Sequence, residues 1–348
     1  MKISKGKLKY MEALADSKGI IRAAAMDQRG SLLKSIAKEK GVDPKQVTQQ
    51  MMEEFKIAVS KVLTQHASAI LLDPEYGMPA AKARSKNAGL LLAYESSGYD
   101  NTQPGRLPDL LEDQSVLRIK KMGADAIKIL IYYSPFDDKR VNEIKHAFCE
   151  RIGAECADQD IPYFLEFVTY DPSGADVNTL EYAKRKPELV ALSMQEFSKP
   201  QYQVDVLKAE VPINMKFVEG TKSFKGQAAY SRKEAMEHFK KTAKVTAKPF
   251  IYLSAGVGDD EFRESLELAA ESGVKYNGVL CGRATWKEGI PVYAKQGAKA
   301  LEDWLNDQGV KNIKALNAVL EKSATPWYEA YGGKSKVEPV ERPVLCGV

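Results

Sequence analysis

Eight short apolar runs, separated by stretches of helical periodicity, constrain this 348-residue chain more than any other feature. They are IIRAAAM (20–26), ASAILLD (67–73), LLLAYE (90–95), DAIKILIYY (125–133), YFLEFVTY (163–170), QVDVLKAEV (203–211), PFIYLSAG (249–256) and YNGVLCG (276–282). Each is rich in Ile, Val, Leu, Ala and Tyr, as expected for strands buried on both faces. Between them, VTQQMMEEFKIAVSKVLTQHA, QSVLRIKKMG, VNEIKHAFCERIGAECADQ, PELVALSMQEF, SRKEAMEHFKKTAKV, DEFRESLELAAESG and PVYAKQGAKALEDWLNDQ repeat apolar residues every three or four positions. Asp259 and Asp260 are plausible caps for the helix that follows them. The link between the second and third strands is short, and MPAAKARSKN is a marginal helix there.

Strands alternating with helices specify parallel pairing through right-handed crossovers. An open doubly wound sheet is the alternative. No GxGxxG follows the first strand, and eight strands suit closure, so the expected fold is a single (β/α)₈ barrel. The barrel is expected over residues 1–325. After Ser323 the composition turns to Pro, Gly and charge, so residues 326–348 read as a C-terminal tail on the surface or partly disordered.

Composition narrows the function classes. Lys and Arg number 51 against 47 Asp and Glu, a formal charge of +4 with alternating signs along the helices, which reads as solvated helix faces with no nucleic-acid surface. No apolar run reaches the length of a membrane span and the N-terminus lacks a signal-peptide core, so a cytoplasmic protein, away from membranes, is expected. The cysteines, Cys149, Cys156, Cys281 and Cys346, form no CxxC pair and read as free thiols. His66, His146 and His238 are far apart in sequence, which makes a histidine metal site hard to build. No metal or cofactor is expected, and a homo-oligomer is.

A barrel of this kind places its chemistry at the C-terminal strand ends. Charged residues interrupt or end the apolar runs there. The first strand ends in Asp27, Gln28, Arg29 and Gly30, the second in Asp73 with Glu75 beyond, the third in Glu95. Lys128 lies inside the fourth, Glu166 inside the fifth, and Lys208 inside the sixth, with Glu210 after it. A buried charge is costly unless paired, so any one of these taken alone reads equally well as a structural ion pair. Two lysines and a carboxylate on successive strands suggest more. Desolvation and a neighbouring ammonium would lower a lysine's pKa and free its amine for attack on a carbonyl, with Glu166 moving protons. Lys208 is the expected nucleophile and Lys128 its electrostatic neighbour. Glu210 is expected to orient a lysine, and Lys216 to be a loop residue. Ser254 to Gly258 and Gly282 to Thr285 offer backbone N–H groups, a hydroxyl and the Arg283 fork for a phosphate. Arg29 is the expected holder of a second anionic group.

The stretches AAAMDQRGS, ILLDPEYG, ADAIKILIYY, LEFVTYD, VDVLKAEVPINMKFVEG, LSAGV and GVLCGRATW resemble, in order, the class I tagatose 1,6-bisphosphate aldolase family, from residue 1 to about 325. The resemblance implies a metal-free barrel cleaving a ketohexose bisphosphate to dihydroxyacetone phosphate and glyceraldehyde 3-phosphate. It implies a Schiff base on Lys208, proton transfer by Glu166, and Lys128 and Asp27 beside them. Gln28, Ser254, Leu280 and Arg283 would line the substrate and phosphate site. A related branch acts on 6-deoxy-6-sulfofructose 1-phosphate, which leaves the group at the far end of the sugar open. Two rivals remain at this point. One is a Mg²⁺-dependent sugar-phosphate epimerase or lyase using Asp27, Asp73, Glu75, Glu95 and Glu166. The other is a non-catalytic sugar-phosphate sensor.

Overall fold

The computed structural model describes residues 2–96 and 103–341. Its centre is a closed parallel barrel in chain order: β2 (Ile21–Ala25), β3 (Ala69–Leu72), β4 (Gly89–Ala93), β5 (Ala126–Tyr133), β6 (Tyr163–Thr169), β7 (Val206–Glu210), β8 (Phe250–Leu253) and β9 (Gly278–Cys281), with β9 pairing back onto β2. Seven of these strands fall within the apolar runs, and β4 begins one residue before its run, at Gly89. The chain is therefore a (β/α)₈ barrel.

Successive strand residues face opposite sides, and the core divides accordingly. Ala23, Ala25, Leu71, Leu91, Ala93, Phe164, Val206, Ile251 and Leu280 fill the barrel interior. Their neighbours Ala24, Ile70, Leu92, Ile127, Ile129, Leu165, Leu207, Tyr252 and Val279 join the shell between strands and helices. Lys128, Glu166 and Lys208 fall in the inward phase. The sheet register sets Glu166 directly beside Lys208, and Leu130 beside Glu166.

The helices at Gln49–Leu63, Val116–Lys121, Lys139–Asp158, Leu180–Phe197, Arg232–Ala243, Asp259–Glu271 and Gly289–Trp304 occupy the periodic stretches. The marginal segment forms a short helix, Met78–Ala83. Among the described residues four helices were not anticipated: Lys5–Leu14, Gly30–Lys40, the single turn Arg283–Trp286 and Val310–Ser323. Asp259 and Asp260 are not caps. Gly258 is the N-cap, and both acids stand in the first turn, where they favour the positive end of the helix dipole. Among the described residues no helix is long and apolar enough to cross a membrane.

The C-terminal segment differs from expectation. Trp327 is buried at 2% exposure and joins the barrel-interior cluster with Ile3, Met11 and Leu14. Its backbone N–H donates to Gly19 O at 2.8 Å. Further on, β10 (Glu338–Val340) pairs in parallel with β1 (Lys2–Ser4). Gly19 precedes β2, and Thr325 N donates to Tyr276 O ahead of β9, so this segment closes the floor of the barrel, at the N-terminal strand ends. It is a plug opposite the mouth. Burial of one indole outweighed a local composition of Pro, Gly and charge. Cys346 and the last residues of the tail lie outside the described residues.

Candidate active site

A cavity of about 770 Å³ opens at the C-terminal ends of the strands. Asp27, Gln28, Arg29, Lys128, Glu166, Lys208, Ser254, Leu280 and Arg283 all line it. So do Glu95, which the sequence reading weighed only as a metal ligand, and Ser31, Lys34, Ser96, Arg106 and Tyr132, which it did not propose as site residues.

The centre is an ion cluster built on two lysines. Lys208 Nζ donates to Glu166 Oε2 at 2.7 Å, and the same oxygen lies 2.9 Å from Lys128 Nζ. Lys128 also donates to Asp27 Oδ2 at 2.8 Å and Glu95 Oε1 at 2.6 Å. It is fully buried, and Lys208 nearly so, at 4% exposure. The pKa depression expected of a buried lysine does not hold for Lys128. Burial does push its pKa down, but Asp27, Glu166 and Glu95 together raise it well above the ordinary lysine value. Lys128 is thus a permanent cation. Burial pushes Asp27 up, yet the charges of Lys128 and Lys208 hold it well below the ordinary aspartate range. Glu95 is raised by burial, against the pull of Lys128 and Arg29, and its Oε2 has no hydrogen-bond partner among the described residues.

A second buried lysine assembly frames the end of β2. Lys56, on the helix Gln49–Leu63, donates to Met26 O at 2.7 Å, Gln28 O at 2.9 Å and Asp73 Oδ2 at 2.5 Å. It therefore fixes the backbone on both sides of Asp27. Lys56 was invisible in the sequence, because one lysine in an amphipathic helix reads as a solvated charge.

Two assignments change. Arg29 is not available as expected for a second anion: Nη1 is 2.8 Å from Glu75 Oε2, and Nη2 donates to Glu95 O at 2.7 Å. Glu210 does not orient a lysine of the central cluster. It accepts from Thr169 N and Oγ1 at 2.7 and 2.6 Å and faces Lys186 at 3.4 Å. Lys216 sits in a 3₁₀ turn, Met215–Phe217, and is not among the residues lining the cavity.

The carboxylates proposed for Mg²⁺ are dispersed: Asp73 belongs to Lys56 and Glu75 to Arg29. Asp27, Glu95 and Glu166 do converge, but on the Lys128 ammonium. The donor set is thus already engaged by a protein ammonium.

The loops after β8 and β9 form one wall of the cavity, with Ser254, Gly256, Gly282 and Arg283. Ala255 and Gly256 both have left-handed backbones, at φ +48° and +83°. A Cβ on Gly256 would stand 2.7 Å from the Arg283 guanidinium carbon, so a side chain there would displace the fork. Gln28 Nε2 reaches Asp27 Oδ1 at 3.3 Å, while its buried Oε1 has no partner among the described residues.

Fold and mouth define a parallel barrel with a lysine-carboxylate cluster at its C-terminal face and a cationic wall beside it. The DeoC/LacD family aldolase profile matches residues 21–288, and the chain belongs to that family. It is 52% identical to a tagatose 1,6-diphosphate aldolase of Listeria monocytogenes over 342 residues, which are 98% of this chain and 99% of the relative. It is 54% identical to tagatose 1,6-diphosphate aldolase 2 of Enterococcus faecalis over 326 residues, 94% and 97% of the two chains. Among solved structures, a fructose-bisphosphate aldolase of Plasmodium falciparum shares the fold at a TM-score of 0.66 and 11% identity, covering 93% of this chain and 98% of that one.

Proposed function

We propose that this protein is a class I aldolase that cleaves a ketohexose 1,6-bisphosphate, D-tagatose 1,6-bisphosphate among them, to dihydroxyacetone phosphate and D-glyceraldehyde 3-phosphate. The observation that carries this reading is one oxygen, Glu166 Oε2, held 2.7 Å from Lys208 and 2.9 Å from Lys128. Lys128 has three carboxylate partners and stays charged. Among the described residues Lys208 pairs with Glu166 alone, which can take its proton as the amine attacks.

The amine of Lys208 adds to the C2 carbonyl. Loss of water, with a proton supplied through Glu166, gives an iminium. Removal of the C4 hydroxyl proton by a carboxylate then lets the C3–C4 electron pair move into the iminium. The aldehyde half leaves, and an enamine remains on Lys208. Protonation of that enamine at C3 and hydrolysis return the free amine and dihydroxyacetone phosphate. Asp27, held ionised by Lys128, is placed to orient substrate hydroxyls. Ser254 and Arg283 anchor the phosphate nearest C2, so that binding energy positions the reacting carbons.

Cleavage of tagatose, fructose and sulfofructose phosphates, assayed as triose phosphate release with and without a chelator, tests this. Release of triose phosphate that the chelator leaves undiminished is expected. No release from any of them, or release that the chelator abolishes, overturns it.

A further inference from the structure

Six cationic side chains line the cavity: Arg29, Lys34, Arg106, Lys128, Lys208 and Arg283. Three are committed to protein carboxylates, as described above. Among the described residues, Arg283, Lys34 and Arg106 form no ion pair. Cations grouped in a concave site without counter-charges mark where an anionic ligand is expected.

Their positions around the ring separate them. Arg283 follows β9, and Lys34 is on the helix after β2, the strand that pairs with β9. Both belong to one side of the mouth. Arg106 comes from the segment between β4 and β5 and lies over the other side. Its guanidinium carbon is 4.7 Å from the ring centre of Tyr132 on β5 and 5.3 Å from that of Tyr170, just past β6. Lys208, on β7, stands between the two poles.

Arg106 is also held in place. Gly105 packs so closely on Val141 that a Cβ would come within 2.5 Å of it, and Arg106 itself has φ +44°. A non-glycine residue keeps such a backbone only where its surroundings impose it. The aromatic platform is braced from behind: the Tyr170 hydroxyl donates to Asp137 and accepts from the buried Lys145 at 3.0 Å. Tyr132 and Tyr170 meet edge to face at 6.5 Å between centroids. Stacking on ring faces leaves the edge of a guanidinium free for bidentate contact with a tetrahedral oxyanion.

We infer that Arg106 is the second anion anchor of the cavity, taking the phosphate or sulfonate at the aldehyde-forming end of the sugar while Arg283 takes the phosphate next to C2. This rests on the aldolase reading of the same site and fills the place that Arg29 cannot. With C2 at Lys208, the short arm of the substrate reaches the loops after β8 and β9, and the long arm runs back across β6 toward Arg106. Lys34 is exposed and lies on the Arg283 side, so it is the poorer candidate.

The test compares a ketohexose 1,6-bisphosphate with the same ketohexose 1-phosphate. The ratio of their kcat/KM values measures what the second phosphate contributes. In Arg106→Met that ratio falls roughly 10- to 100-fold, the range of a charge-assisted bidentate contact. Arg106→Lys recovers part of it, and Lys34→Met keeps it within a few-fold. An unchanged ratio in Arg106→Met, or a collapse of the ratio in Lys34→Met instead, overturns the inference. Calorimetric binding of a hexitol 1,6-bisphosphate against a hexitol 1-phosphate gives the same comparison without chemistry. If Arg106→Met abolishes that binding preference but the wild type cleaves nothing, the anchor stands and the aldolase reading falls. If the wild type cleaves and the preference survives in Arg106→Met, the anchor alone falls.

Discussion

The two ends of this barrel treat charge in opposite ways. At the floor, Ile3, Met11, Leu14 and Trp327 close the interior, and the cations nearby have carboxylate partners, Arg22 having a second in Glu321. Lys7 pairs with Asp205 at 2.7 Å and Arg22 with Asp16 at 2.7 Å. At the mouth, three carboxylates crowd one lysine, a second lysine shares one of them, and three cations have no carboxylate partner among the described residues. The floor resembles an ordinary protein interior in its apolar packing and paired charges. The mouth keeps charge that the described residues leave unmatched. The difference teaches where to look for stability and where for activity.

Substitutions can break that division, beginning with the largest effect. Glu166→Gln keeps the volume but cannot accept a proton from Lys208. It should lower kcat about 10²- to 10⁴-fold, a loss that persists when steady-state kinetics are taken well below the unfolding midpoint found in urea. Equal kinetics would remove Glu166 from the chemistry. Lys56→Met crosses the boundary between the two ends, because it leaves Asp73 buried without its partner and releases the backbone around Asp27. A stability loss of about 3–5 kcal/mol is expected, together with a fall in kcat. A loss of stability with unchanged kcat would confine Lys56 to the scaffold. Trp327→Ala should cost about 3–5 kcal/mol in unfolding free energy while kcat, measured well below the midpoint, stays unchanged. A large fall in kcat there would mean that the floor and the mouth are coupled.

Lys145 provides a pH-dependent comparison beside the mouth. Burial pushes its pKa down from 10.5 to about 8, against the pull of Asp137. Between those values the unfolded chain binds the proton and the folded one does not, so stability rises as pH climbs from about 8 to 10.5. Below pH 8 the folded state carries the buried charge at a cost of about 3 kcal/mol. Lys145→Met should therefore flatten the rise in urea midpoint over that window. An identical slope in the variant would place the charge elsewhere.

Much of this was legible in the sequence because barrel strands are short and their polar interruptions are conspicuous. Lys128 inside AIKILI and Lys208 inside VDVLKAE stand out against apolar neighbours, and the two-residue alternation puts them on one face. Glycine-rich ends of the seventh and eighth runs marked the cationic wall for the same reason. What stayed hidden lacked periodicity or depended on a distant partner. Arg106 lies in QPGRLPD, a segment with the composition of a surface turn, and nothing local reveals two tyrosines beneath it. Arg29 looked like an anion site until Glu75, 46 positions on, took its guanidinium. Glu210 shares the face of Lys208 yet turns to Thr169 on the neighbouring strand. In the C-terminal segment, Trp327, Tyr328 and Tyr331 were the residues whose size argued against a surface tail.

The central claim is that Lys208, and not the better-paired Lys128, forms the covalent bond to substrate. Borohydride reduction in the presence of a ketohexose bisphosphate, followed by peptide mass analysis, tests it most directly. The adduct mass should appear on the peptide containing Lys208 and vanish in Lys208→Met. Adduct on the Lys128 peptide, or continued cleavage by Lys208→Met, would contradict the account.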